Sequence, residues 1–189
     1  MTETPIEPFF RVHQDMYKFL VDRKEISFAN AAADNFRRSL VLAIASYFEH
    51  RVTDLVREVP RKHAMKHPFI CALIERKAIS RQYHTYFNWE AKNANSFFAL
   101  FGDEYSGKAE KDVKQSVALG DSIKAFLKLG HTRNQLVHGN YVNFPVDMTT
   151  EEIFEMFQSA LAFPSYLERT LLASSDGSSA PRDEVAPDG

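Results

Sequence analysis

Residues 28–59 read FANAAADNFRRSLVLAIASYFEHRVTDLVREV. Phe28, Ala32, Phe36, Leu40, Val41, Ile44, Phe48, Val52, Leu55, Val56 and Val59 recur at steps of three and four, which sets them on one face of a helix. Ser27 stands where an N-cap belongs and Pro60 where a helix stops. At 1.5 Å of rise per residue such a helix is about 45 Å long. It predicts the spine of an all-α domain.

The flanking sequence extends that reading. Residues 9–24 form a first helix with Phe9, Val12, Met16, Phe19 and Leu20 on one stripe. Pro68 opens a third helix through Phe69, Leu73, Ile74 and Ile79. An aromatic stretch, residues 83–89, precedes a short helix ended by Gly102, and residues 103–111 read as a polar loop. A fifth helix is expected over 112–138, with Val113, Val117, Ile123, Phe126, Leu127, Leu136 and Val137 facing inward. Gly139 follows as a left-handed C′ residue. Thr149 and Glu152 fit a capping box before the last helix, which Pro164 kinks or splits. The expected fold is a single-domain, up-down helical bundle of about five to six helices over residues 1–172. The Ser/Gly/Pro/acid-rich residues 173–189 read as a disordered acidic tail.

Composition bounds the function. With 44% hydrophobic and 13% aromatic residues in 189, a packed core is affordable, and only 7 Gly argue against a β protein. No apolar run reaches the ~18–20 residues of a membrane span, and the acidic N-terminus resembles no secretory signal. A lone Cys71 excludes an internal disulfide and a multi-Cys zinc site; neither a metal nor a cofactor is expected, and the cytoplasm is the expected compartment. The net charge of −2 hides a basic segment. Residues 50–81 hold eight Lys/Arg against three acids, a surface that is either a phosphate-binding face or a solvated helix.

The chemistry concentrates at Arg133-Asn134-Gln135-Leu136-Val137-His138-Gly139. Asn134 and His138 are one turn apart, so the amide can hydrogen-bond the imidazole, and Arg133 can swing toward the same pocket. Spacing alone means little, since Arg57 with His63 and Arg61 with His67 are similarly placed. His131, Arg133 and His138 can also simply complement the helix dipole, at roughly 0.3–1 kcal/mol each.

The wider pattern resembles the HEPN superfamily, whose signature is an Arg, a polar residue that is commonly Asn, and a His further along the same helix. Residues 39–49 are similar to the long second helix of the RiboL-PSP-like HEPN group, with its acidic residue at Glu49. Residues 93–102 are similar to that group's Asn-rich, Phe-Gly-terminated segment. The resemblance covers roughly residues 10–172. It implies a small helical domain that homodimerises and brings two motifs into one composite site. It further implies a metal-independent endoribonuclease, in the setting of a toxin with an antitoxin or of phage defence.

On that resemblance Arg133, Asn134 and His138 are the catalytic residues. RNA would be cleaved by its own 2′-OH, leaving a 2′,3′-cyclic phosphate and a 5′-OH. Imidazoles suit acid–base work near neutrality, and a guanidinium binds two phosphoryl oxygens at once. Glu49 is the supporting acid, expected to pair with Arg133 or His138, or else to be an ordinary solvated charge. Tyr141 is a supporting candidate three residues past His138, one residue further than the Tyr that some HEPN toxins offer to a modifying partner. Trp89, Tyr83, Tyr86 and Phe87 are either core or base-stacking groups. The expected partners are RNA, a second copy and a cognate antitoxin or partner protein, with no membrane. The alternative is a non-catalytic HEPN module that binds RNA or protein.

Overall fold

The computed structural model describes residues 3–64 and 66–173. Nearly all of the tail expected from residue 173 onward lies outside them. Among the described residues the protein is all-helical, with α1 Ile6–Asp22, α2 Ile26–His63 and α3 Pro68–Ile74, the last continued by a π-turn over Glu75–Ile79. Then come α4 Tyr83–Tyr86, α5 Asn95–Ala99, α6 Asp103–Gln115, α7 Val117–His138, α8 Thr150–Ala160 and α9 Ala162–Leu171. Six of these are ten residues or longer. None of the described helices is long and apolar enough to cross a membrane.

The spine is longer than its apolar pattern. At 38 residues, α2 begins before Ser27 and runs through Pro60, so neither residue bounds it. Pro60 sits in the last turn, where the missing N–H removes a single hydrogen bond. The buried line Phe36, Leu40, Ile44, Phe48, Val52 and Leu55 holds the core to α2, while Phe28 stays 66% exposed. Against that line pack α7, α8 and α9, whose Phe126, Phe157 and Phe163 are fully buried. Rings of Phe48 and Phe126 meet at 5.2 Å, those of Phe126 and Phe163 at 5.1 Å, both edge to face.

Three boundaries move for local reasons. Residues 103–111, expected as a loop, begin α6. Gly102 turns the chain at φ +92°, Asp103 and Glu104 favour the first turn, and Ala109 is buried. The expected fifth helix divides at Ser116, whose hydroxyl accepts from the Leu119 amide at 3.2 Å and caps α7. The last helix breaks at Leu161, three residues before Pro164, which lies in the first turn of α9. The Thr149/Glu152 capping box forms as expected, with bonds of 3.1 and 2.7 Å.

On α1 the buried residues are Ile6, Phe10 and His13. The stripe of Phe9, Val12, Met16 and Phe19 instead faces outward, 39–68% exposed. Val117 and Val137, expected inward, are 80% and 49% exposed.

Candidate functional site

The C-terminal half of α7 and the middle of α2 wall a cleft of about 710 Å³, which the 75–89 connection closes. From α2 come Phe48, Glu49, Thr53 and Arg57; from α7 come Phe126, Gly130, Arg133, Asn134 and His138. The expected catalytic trio and Glu49 therefore share one cavity.

A glycine makes the cleft's inner wall. A Cβ on Gly130 would fall 2.0 Å from Trp89 Cζ3, so the indole lies directly against the backbone of α7. The Trp89 N–H donates to the His84 carbonyl at 3.1 Å, which fixes the ring. Trp89 and Tyr83 line the cleft half-buried, whereas Tyr86 and Phe87 are core.

Within the motif the hydrogen bond differs from the expected one. Arg133 Nη1 donates to Asn134 Oδ1 at 3.1 Å, so the amide holds the guanidinium rather than the imidazole. The long arginine folds back onto its neighbour's carbonyl. Both residues are half-buried, and His138 is exposed on the last turn. Among the described residues the His138 side chain has no hydrogen-bond partner.

Gly139 is extended rather than left-handed, at φ −88° and ψ −175°. Proximity is what requires glycine there. Its amide donates to the Gln135 carbonyl at 2.8 Å, and a Cβ would stand 2.8 Å from that same oxygen.

Glu49 lines the cleft half-buried and, among the described residues, forms no ion pair with Arg133 or His138. The two charges instead meet in their effect on Tyr83. Burial pushes the Tyr83 phenol well above its ordinary value, the Glu49 charge adds to this and the Arg133 charge opposes it. Tyr83 thus stays a neutral O–H donor. Tyr141 is outside the cleft, its hydroxyl 3.4 Å from Ser39 Oγ on α2.

Much of the basic segment is neutralised by neighbouring acids. Arg51 pairs with Glu168 at 2.7 Å, and Arg61 with Glu58 at 2.7 Å. Arg57 donates to both oxygens of Glu75, at 2.9 and 3.3 Å, and to Asp54 at 2.5 Å. That contact holds the Glu75 carboxyl below the usual range and raises the guanidinium. Arg133 and Arg81 line the cleft without a carboxylate partner among the described residues, beside His84 and His138. Such a lining suits a phosphoryl group.

Arg81, His84 and Gly130 were not legible as site residues. Arg81 adopts φ +61° just after the π-turn, a strained left-handed conformation that no arginine announces. A glycine in the middle of α7 was the one signal available.

The family model described as RiboL-PSP-HEPN matches residues 14–173. No curated protein and no solved structure matches the chain.

Proposed function

The chain belongs to the RiboL-PSP-HEPN family, and from that premise we propose that its helical domain, residues 1–172, is a metal-independent endoribonuclease. HEPN domains serve as ribonucleases or RNA-binding modules. The observation that carries the enzymatic reading is the convergence of Arg133, Asn134 and His138 on one cleft, where Arg133 and Arg81 have no carboxylate partner among the described residues.

The reaction this arrangement fits is attack by the 2′-oxygen on the adjacent phosphorus. A base takes the 2′-OH proton, the new P–O bond closes a 2′,3′-cyclic phosphate, and the bond to the 5′-oxygen breaks. That oxygen leaves with a proton supplied by an acid. Arg133, held by Asn134, binds the phosphoryl oxygens as charge builds on them. His138 exchanges the protons. DNA lacks the nucleophile and resists.

One chain offers this cleft a single motif imidazole, whereas base and acid are two roles. A second copy supplies the other. The apolar stripe Phe9, Val12, Met16 and Phe19 supports such an association, since clustered exposed apolar side chains mark interaction surfaces. A cytoplasmic toxin with an antitoxin, or a phage-defence effector, is the setting that fits a ribonuclease of this family.

The test is incubation of the protein with RNA and EDTA. Cleavage to cyclic-phosphate ends that disappears in His138→Ala and in Arg133→Ala supports the reading; no cleavage, or cleavage insensitive to both changes, overturns it. The imidazole of His138, exposed and without a hydrogen-bond partner among the described residues, favours one second reading, a non-catalytic RNA-binding module. In that case RNA binding survives His138→Ala and no cyclic phosphate forms.

A further inference from the structure

Beyond the cleft, on the other side of Trp89, lies a second depression. Its volume is about 820 Å³, and Trp89, Lys92, Lys124, Lys128, His131 and Gln135 line it. Lys124, Lys128, His131, Gln135 and His138 fall at alternating steps of four and three along α7, so they occupy one face. That face runs from the groove to the catalytic end of the helix over about 21 Å. Trp89 borders both cavities, and the absent side chain of Gly130 fixes it there. Trp89 is the residue that the two linings share.

The groove is electropositive by composition. Glu90 is the one acidic residue lining it. Lys124 pairs with Asp121 at 2.9 Å, an exposed contact that water screens. Lys92 and Lys128 have no carboxylate partner among the described residues. The basic run in the sequence pointed to residues 50–81, yet three arginines there are paired with acids. Lys92 and Lys128, by contrast, line a groove contiguous with the site.

We propose that single-stranded RNA bound in the cleft crosses Trp89 into this groove, where Lys92 and Lys128, with Lys124 and His131, hold the phosphates flanking the scissile one. This rests on the reading of the cleft as the RNA-cleaving site. Lysines are point charges that grip phosphate without reading bases. The groove therefore secures length of substrate rather than sequence. A basic track beside an aromatic side chain is how sequence-tolerant single-strand binding is built.

Two measurements on the full chain test it, with Lys92→Gln/Lys128→Gln as the variant. Lys108→Gln/Lys111→Gln on α6 matches the charge change away from both cavities. First, kcat/KM is measured for an RNA of about twelve nucleotides and for a dinucleotide. The unaltered protein and the α6 control prefer the longer RNA; the groove variant loses most of that preference, about tenfold, through KM rather than kcat. Second, the His138→Ala protein binds the longer RNA across a salt series. Adding the groove substitutions lowers the slope of log K against log salt by about 1.4, the release expected for two single-strand phosphates.

The outcomes separate the two readings. Cleavage with equal length preference in all three proteins overturns the groove and keeps the nuclease. Binding that falls in the groove variant with no cleavage by any protein overturns the nuclease and keeps the groove. An α6 control as impaired as the groove variant assigns the effect to net charge and overturns the groove.

Discussion

Trp89 and Gly130 touch so closely that no side chain fits between them: the position of a Cβ on Gly130 lies 2.0 Å from the indole. Replacing a helix-interior glycine with alanine ordinarily stabilises by about 0.5–1 kcal/mol. Here the methyl would overlap a ring anchored to His84 and packed on Phe126, and overpacking of this kind costs about 1–3 kcal/mol. The clash wins. Gly130→Ala is expected to lower the Tm and to abolish cleavage by moving Trp89 into the cleft. In a Trp89→Leu background the same substitution should be neutral or stabilising. Additive effects in that double-mutant cycle would show that the two residues are not coupled.

The Arg133–Asn134 hydrogen bond fits the proposal that Asn134 positions Arg133 rather than touching the reacting atoms. A hydrogen bond to a charged donor contributes about 1.5–3 kcal/mol, so Asn134→Leu should lower kcat by roughly 10–100-fold. Asn134→Asp keeps an acceptor oxygen where the guanidinium needs it and should recover most of the loss. If Asp and Leu behave alike, Asn134 acts in some other way. Arg133→Lys should not restore activity, because an ammonium lacks the fork that grips two oxygens.

The sequence disclosed what strong periodicity disclosed. The spine and its buried phenylalanines followed from spacing, as did the Thr149/Glu152 box, because both are local patterns. Direction was harder. Phe9, Val12, Met16 and Phe19 form as regular a stripe as any on α2, yet that stripe faces outward. An apolar face must be covered, and periodicity does not say by what. Residues 103–111 look polar because α6 buries little besides Ala109. At the candidate site Arg133, Asn134 and His138 were readable as neighbours, since they lie on one helix. Arg81 and His84 were not, since a π-turn and a left-handed residue bring them there from another segment.

Gly139 and Gly107 offer opposite outcomes for one substitution. A Cβ on Gly139 would press against the Gln135 carbonyl at 2.8 Å, a backbone atom that cannot rotate away. Gly107, inside α6, has nothing within 4 Å of the added atom. Gly107→Ala should therefore raise stability by about 0.4–1 kcal/mol. Gly139→Ala should lower it, on the order of 1 kcal/mol, and should impair cleavage by shifting His138. Equal changes in the two melting curves would contradict the contact geometry.

His13 gives stability a pH dependence that can be isolated. It is 5% exposed and stacked on Phe36 at 3.6 Å, and its Nδ1 has no partner among the described residues. Burial lowers its pKa from the ordinary 6.5, while the Glu151 charge pulls the other way. The unfolded chain thus binds the proton more readily than the folded one, and stability rises with pH across that interval. The contribution is complete above pH 6.5 and is lost as the pH falls through the lowered folded value. His13→Phe keeps a ring on Phe36 and removes the proton site. Its denaturant midpoint should hold as the pH falls below 6.5, where that of the unaltered protein declines. Parallel curves would mean that this histidine is not held neutral by burial.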